Sequence, residues 1–374
     1  MSKYKIAWLP GDGIGVEVMD AARLVLDALQ LDAEYVPADI GWEFWRTEGD
    51  PLPARTIEIL EGCTCGLFGA ITSKPKDEAE LELGPELQGT GLSYSSPIVR
   101  LRQHFDLYTN LRPCKAFAGN PLNYKDDVDL VVFRENTEGL YSGVEFFPLP
   151  DELRNNLIDH NPRMTRFDHI NSSEIAVSLR VITRPGAERI VRQAFEYAKR
   201  FDYPTVTLVE KPNVLRETSG LMSRVARKVA EGYPDIELWE TNIDAQMMWL
   251  LKNPTDYGVI VTSNMFGDIV SDLAAQLVGG LGFASSGNIG DKIAVFEPTH
   301  GSAPKYAGQN KVNPIAMLLA SKLMLDWLNE VELAQTLEKA IARVIKEGKI
   351  RTYDMGGTHS TTEMAEEIVS QLDS

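Results

Sequence analysis

An α/β fold is what this chain predicts, and three observations carry the expectation. Short apolar runs alternate with amphipathic segments of helical period along most of the sequence, the pattern of strands covered by helices. The chain has 374 residues, more than one hydrophobic core ordinarily serves, so two α/β domains are expected. Apolar residues make up 44% and charged residues 24%, ordinary values for a globular chain with buried strands.

In chain order, residues 5–9 read as a short strand, broken by Pro10-Gly11-Asp12-Gly13-Ile14-Gly15. Residues 16–29 follow as a helix with Val18, Ala22, Val25, Leu26 and Leu29 on one face. Strand, glycine turn and helix is the arrangement in which helix amides meet a pyrophosphate. The spacing departs from G-x-G-x-x-G, and a tight connection explains the turn equally well. Next come a strand at 34–37, a helix at 53–60 and a strand at 65–69. Residues 74–91 are polar, show no periodicity and read as a surface excursion near a cleft mouth. In residues 95–113 a helix ends near Asp106 and a strand follows, closing at Arg112-Pro113. Residues 130–133 form an apolar strand, and the polar stretch 151–171 fits an arm or subunit contact. A helix at 185–201, a strand at 206–209, a helix at 218–231 and strands at 236–239, 257–262 and 293–298 continue the alternation. Helices at 315–328, 331–346 and 361–372 finish it.

The net charge of −17 argues against nucleic acid and anionic membrane, since phosphate surfaces demand clustered Lys and Arg. A small anionic substrate in a local basic pocket stays compatible with it. No apolar run approaches the ~18 residues of a membrane span, and the start leads straight into a strand rather than a signal peptide. Cys63, Cys65 and Cys114 form neither a disulfide ladder nor a zinc spacing and read as reduced structural thiols. The expected compartment is cytoplasmic.

Several residues stand where chemistry is placed. Residues 268–277 read as a helix entered by a turn and closed by Gly279-Gly280, so Asp268 and Asp272, four apart, share one face. Acids favour helix starts, and Asp268 as a cap accounts for the pair. A hard divalent cation, Mg2+ or Mn2+, held by carboxylate oxygens accounts for it as well. Arg102, Arg112 and Arg134 suit carboxylates because the planar guanidinium bonds both oxygens. Surface ion pairs are the ordinary use of any one arginine, but arginines at the ends of apolar strands mark a cleft. Lys211, after the strand 206–209, is a snorkelling stem or an amine that moves a proton. Asp244 is a third cleft aspartate. The string His300-Gly301-Ser302-Ala303-Pro304-Lys305-Tyr306 is small and amide-rich, suited to phosphate or adenine, though such a string alone is more often only a loop.

Taken together and in order, the Pro10–Gly15 turn, the three arginines, Tyr141, Lys211, the three aspartates and the His-Gly-Ser-Ala-Pro loop resemble the isocitrate/isopropylmalate family of β-decarboxylating hydroxyacid dehydrogenases. The resemblance runs from Pro10 to the last helix. It implies an isocitrate/isopropylmalate dehydrogenase-like fold of two α/β domains around a cleft, with a non-Rossmann cofactor site. The large domain would comprise residues 1–107 and 287–374. The small domain would comprise residues 108–286, with the dimer contacts and an arm near 145–175. It further implies a homodimer with shared active sites, or a tetramer built from such dimers.

By the same resemblance, Ser96, Arg102, Arg112, Arg134 and Asn213 would bind a carboxylate substrate. Asp268 and Asp272, with Asp244 of the partner subunit, would bind Mg2+ or Mn2+. Tyr141 and the partner subunit's Lys211 would transfer protons. Thr72, His300, Gly301, Ser302, Ala303, Lys305, Tyr306, Asn313 and Tyr353 would hold a nicotinamide dinucleotide. NAD-linked members usually carry aspartate in place of Lys305, so Lys305-Tyr306 with Tyr353 resembles the NADP set. The arginine that often completes that set is Gly357 here, and Asn253 replaces another basic position; NADP is expected to be preferred, with NAD accepted.

Ser96 stands where isocitrate enzymes bind the γ-carboxylate, whereas their usual asparagine is Ile98. The string Ser95-Ser96-Pro97-Ile98-Val99 looks more like homoisocitrate dehydrogenases and archaeal-type relatives. The expected order of substrates is isocitrate, homoisocitrate, isopropylmalate, then malate or tartrate. A regulatory subunit of the family would commonly lack the lysine, the tyrosine or a metal aspartate. All five of these residues are present, which points to an enzyme.

Overall fold

The computed structural model describes residues 2–372. The first part of the chain builds β1 (Tyr4–Gly11), α1 (Gly15–Ala28), β2 (Ala33–Pro37), α2 (Trp42–Glu48), α3 (Ala54–Glu61) and β3 (Cys65–Ala70). Then come α4 (Lys76–Leu81), α5 (Pro97–His104), β4 (Thr109–Lys115) and β5 (Asp129–Glu135). A small hairpin of β6 (Glu145–Phe146) and β7 (Val177–Ser178) brackets the exposed α6 (Asp151–His160). The middle continues as α7 (Arg184–Arg200), β8 (Thr205–Glu210), α8 (Thr218–Ala230), β9 (Glu237–Asn242) and α9 (Ile243–Lys252). The chain closes with β10 (Val259–Thr262), α10 (Asn264–Leu277), β11 (Ser285–Ile289), β12 (Ala294–Pro298), α11 (Ile315–Trp327), α12 (Val331–Glu347) and α13 (Thr361–Ser370).

Ten strands form one sheet in the order β2-β1-β3-β12-β11-β4-β5-β10-β8-β9. Both wings are parallel, and their inner strands β3, β8 and β10 are buried throughout, as sheets covered on two faces require. The centre, β12-β11-β4-β5, is antiparallel. One wing packs on α1, α11, α12 and α13 through Val18, Leu26, Leu318, Met324, Leu337, Ile341 and Ile368. The other packs on α7 and α8 through Ile190, Phe195, Met222 and Ala226. The helix α10 lies on its opposite face through Val270, Ala274 and Leu277. Among the described residues no helix is long and apolar enough to cross a membrane.

Three local expectations are corrected. The stretch 74–91 is not structureless: it contains α4, and Ala79 and Leu83 are buried under Trp42 and Trp45. The Trp45 indole donates to the Ala79 carbonyl at 2.8 Å, a tertiary contact that no local period announces. The strand β4 runs past Pro113 to Lys115, because β11 pairs only with residues 109–111 and no partner asks Pro113 for an N–H. The helix after β10 begins at Asn264, with Ser263 as its N-cap, so Asp268 lies a full turn inside and is not a cap.

Candidate active site

Strand pleating places the first half of the site. On β4, Asn110 and Arg112 point to one face and Leu111 and Pro113 to the other. Asn110 stands opposite Arg134 of β5 on one side and Asn288 of β11 on the other, so three polar side chains form a row across the antiparallel centre. Asn288 is the hub. Its Oδ1 accepts from Arg102 Nε at 2.8 Å, Asn110 Nδ2 at 2.8 Å and Asn136 Nδ2 at 3.0 Å. Its Nδ2 donates to Glu297 Oε1 at 2.7 Å, which also accepts from Arg102 Nη2 at 3.1 Å. Arg112 Nε donates to Asn110 Oδ1 at 2.6 Å and its Nη1 to Ser271 Oγ at 2.7 Å. Arg134 Nε donates to Asn264 Oδ1 at 2.9 Å. Neutral amides and hydroxyls orient the Nε of each guanidinium and Nη1 of Arg112, while Arg102 also pairs with the Glu297 carboxylate.

The helix α10 brings the acids to these arginines. Arg112 Nη1 lies 3.4 Å from Asp268 Oδ1 and 3.4 Å from Asp272 Oδ1, and Arg134 pairs with Asp268. Gly267 makes the approach possible: a Cβ there would sit 2.6 Å from Arg134 Cγ. The Tyr141 hydroxyl donates to Asp268 Oδ2 at 2.8 Å, and the Arg134 guanidinium lies 5.2 Å from the Tyr141 ring centroid. Burial works to raise the Asp268 carboxyl, but Arg134, Arg112, the Tyr141 hydrogen bond and Arg102 outweigh it and hold the group below its ordinary value. Burial, with Asp268 beside it, raises Asp272 against the pull of Arg112. Burial and the neighbouring Arg112 and Arg102 push the Arg134 guanidinium down, though it stays charged at neutral pH.

Lys211 and Asp244 form a second cluster. Lys211 follows β8, Asp244 opens α9, and the two are ion-paired. The hydrogen bond from Lys211 is the main reason the Asp244 carboxyl lies low. Among the described residues no hydrogen bond or ion pair joins this pair to the arginine cluster, and no group of three acidic, histidine or cysteine side chains comes together within one chain. Asn213 is exposed beside Lys211, and Ser96 stands at the N-cap of α5 without a side-chain hydrogen bond.

The glycine turn serves differently from a phosphate cradle. The Asp12 amide donates to Ala70 O at 2.7 Å and the Ile14 amide to Ser302 O at 2.9 Å, so those donors are spent on the chain itself. Asp12 carries the brace: its carboxylate accepts from the Thr72 amide at 2.8 Å and the Trp42 amide at 2.7 Å. The Thr72 and Ser302 hydroxyls lie 2.6 Å apart. The turn therefore holds the loop His300, Gly301, Ser302, Ala303 in place from below. Ala303 adopts φ 35°, a strained conformation for a residue with a side chain.

His300 Nδ1 faces the Gly301 carbonyl at 3.0 Å, while its Nε2 is buried without a partner. Burial pushes this imidazole below its ordinary value. Farther along, the Tyr306 and Tyr353 rings lie 5.3 Å apart, with Lys305 4.9 Å from the Tyr306 centroid and Lys311 4.8 Å from the Tyr353 centroid. Asn313 caps α11 by accepting from the Ile315 amide at 3.0 Å, and donates to Asp354 at 3.0 Å.

A cavity of about 170 Å3 is lined by residues of both halves, among them Arg102, Arg112, Glu297, His300, Gly301, Ile71 and Ile98. Sequence reasoning missed Asn110, Asn264, Ser271, Asn288 and Glu297. The available signal was polarity inside strands: Asn110 sits within a strand-like run, and the polar string Ser285-Ser286-Gly287-Asn288 concealed β11 altogether.

Comparison with known proteins agrees with this geometry. The family model of isocitrate/isopropylmalate dehydrogenases matches residues 5–368. Protein DlpA of Legionella pneumophila is 41% identical over 367 residues, which are 98% of this chain and 58% of DlpA, so the chain spans under two thirds of that relative. The 3-isopropylmalate dehydrogenase of Methanothermobacter thermautotrophicus is 43% identical over 373 residues, covering 100% of each chain. The crystal structure of isocitrate dehydrogenase from Methylococcus capsulatus matches with a TM-score of 0.86 at 38% identity, covering 99% of this chain and 100% of that one. With the family model matching residues 5–368 and the isopropylmalate relative matching along the full chain, the chain belongs to the isocitrate/isopropylmalate dehydrogenase family, the decarboxylating hydroxyacid dehydrogenases.

Proposed function

We propose that the protein oxidises and decarboxylates a 3-substituted malate with a nicotinamide dinucleotide and Mg2+ or Mn2+. The carrying observation is the shared cavity of about 170 Å3, whose lining includes Arg102 and Arg112 together with His300 and Gly301, which supports a carboxylate and a nicotinamide held side by side. Asp268 and Asp272 suit the cation: both are oxygen donors, and both converge on one guanidinium nitrogen. The unpartnered His300 Nε2 suits a ligand with a donor at the loop. When bound, the cation supplies Lewis acidity and the dinucleotide accepts hydride.

The chain's own residues do the rest. Arg102, Arg112 and Arg134 hold the two malate carboxylates and offset their charge. Tyr141, whose hydroxyl donates to Asp268, returns a proton to carbon 3 after carbon dioxide leaves. With Asp244 turned to the cation, Lys211 reaches across a homodimer interface and, as the neutral amine, accepts the proton of the carbon 2 hydroxyl. Support for the homodimer comes from an uncovered apolar surface: Met248, Trp249 and Leu251 on α9, Ile269 on α10 and Val214 are all exposed. Sedimentation of Trp249→Glu as a monomer with no turnover is the expected result; a monomeric wild type with full activity would sink the shared-site reading. Residues 1–107 with 287–374, and residues 108–286, are proposed as the two domains that close on the cleft.

The nature of the substituent rests on Ile71 and Ile98. Neither can donate to a carboxylate, and both line the cavity beside Arg102 and Arg112, which supports an alkyl group on carbon 3, as in 3-isopropylmalate. Isocitrate is the second reading, favoured by Ser96, with homoisocitrate beside it. Reduced-nicotinamide formation with each acid, each cofactor and either metal decides among them. The alkyl reading predicts the highest kcat/KM for 3-isopropylmalate, and a higher value for isocitrate overturns it. NADP is the proposed preferred cofactor, supported by Lys305 beside Tyr306 and Tyr353. Lys305→Asp should then lower the NADP/NAD ratio at least tenfold, about 1.4 kcal/mol; an unchanged ratio refutes the preference.

A further inference from the structure

Glu210, immediately before Lys211, is 1% exposed and carries a charge that the proposed reaction does not use. It pairs with Arg180, which donates from Nη2 to Glu210 Oε2 at 2.9 Å and Oε1 at 3.2 Å. The same guanidinium reaches Thr218 Oγ1 at 2.8 Å, Ser219 Oγ at 2.9 Å and Ser263 Oγ at 2.6 Å. Its plane stands 5.1 Å from the centroid of Phe266. The carboxylate in turn accepts the Ser263 amide at 3.2 Å and the Ser219 hydroxyl, and Ser219 Oγ accepts the Lys211 amide at 3.3 Å.

The elements joined here are the ones on which the chemistry depends. Lys211 hangs on Glu210 and Ser219. Ser263 is the N-cap of α10, the helix that bears Asp268 and Asp272, and its hydroxyl makes no capping bond of its own. Arg180 adjoins Val181, whose backbone pairs with Gly139 at 2.7 Å and 3.3 Å, two residues before Tyr141. A buried ion pair is a poor source of stability, since apolar residues of like volume serve as well or better. Its distinguishing property is direction: a guanidinium and a carboxylate each fix several partners at set angles.

We infer that the Arg180–Glu210 pair is a positioning device that holds Lys211, the amino end of α10 and the Tyr141 segment in one frame. The inference rests on the proposed roles of Lys211, Asp268 and Tyr141. Both residues act through others and touch no reacting atom.

Two measurements test it. The first is competitive labelling of full-length protein with acetic anhydride, comparing Lys211 with the exposed Lys76 by peptide mass spectrometry, and it requires no turnover. Ser219→Ala keeps the ion pair and cuts its link to the Lys211 amide; the Lys211/Lys76 labelling ratio should shift at least about threefold. The second compares Glu210→Leu with the double variant Arg180→Met/Glu210→Leu. The double variant should regain most of the melting temperature lost by the single one, while its kcat stays about tenfold low with KM within about twofold. A double variant with wild-type kcat and labelling ratio overturns the inference, because the pair would then be structural only. If the double variant fails to fold, an unchanged ratio in Ser219→Ala overturns it instead. A wild type that turns over no 3-substituted malate refutes the proposed reaction, and the labelling ratio still decides the positioning.

Discussion

Arg134 keeps 2% of its side chain exposed and Arg112 10%, whereas Asp244, paired with Lys211, keeps 69%. The arginine cluster is built inside one chain: β4, β5, β11 and β12 with α5 and α10 supply its members, and Asn288 is their hub. The lysine pair is anchored from beneath by Glu210 and Ser219 and left open above. The first cluster draws its precision from burial, where fixed amides replace water around each guanidinium. The second lies at a surface, where a solvated ion pair sets no geometry by itself. A division of this kind sets rigid positive charge in one place and a more open lysine pair in another.

The comparison breaks most visibly at Arg134. Arg134→Met removes the buried donor to Asn264 and the ion pair to Asp268, which keeps the Tyr141 hydroxyl and the longer Arg112 contact; it should lower unfolding free energy by about 3 kcal/mol, as read from urea denaturation, along with turnover. A loss below about 1 kcal/mol would mean that the cluster is less rigid than its burial suggests. Gly13→Ala attacks the brace beneath the dinucleotide loop: a Cβ there would lie 2.2 Å from Ser302 O, at a residue with φ +55°. The expected cost is about 2 kcal/mol, with weaker NADP binding by isothermal titration; unaltered binding would separate the brace from the cofactor site.

Lys211→Met sharpens the contrast by leaving the melting temperature unchanged while lowering kcat at least about a hundredfold. A large fall in melting temperature would show that the lysine pair is structural after all. The smallest effect concerns His300. Its folded value lies below 6.5, so the unfolded chain binds this proton first. Stability from the neutral ring is present above about pH 6.5 and is lost as pH falls through the lower folded value. An imidazole titration by NMR with a midpoint above 6.5 would refute the assignment.

Much of this was legible in the order of residues. Strands of branched apolar residues at 206–209 and 257–262 became β8 and β10 within a residue or two, because a parallel strand buried on both faces admits little else. Arg112 and Arg134 are cleft candidates from their places in strands, whereas Arg102 lies on the helix α5. The strand β11 was not legible, since Ser286 and Asn288 are buried by neighbours that arrive from 186 and 178 residues away, and no local period records such a partner. The same holds for α4, whose buried Ala79 is explained only by Trp45.

By itself the sequence determined the α/β alternation and the family, since those follow from periodicity and from motifs short enough to read along the chain. The tertiary structure alone decided three things. It turned the glycine segment into a brace rather than a phosphate cradle, made Asn288 the pivot of the arginines, and tied Lys211 to α10 through a buried ion pair. Each depends on which distant polar groups meet where water is excluded. There a hydrogen bond left unmade is costly, so geometry rather than composition sets the outcome.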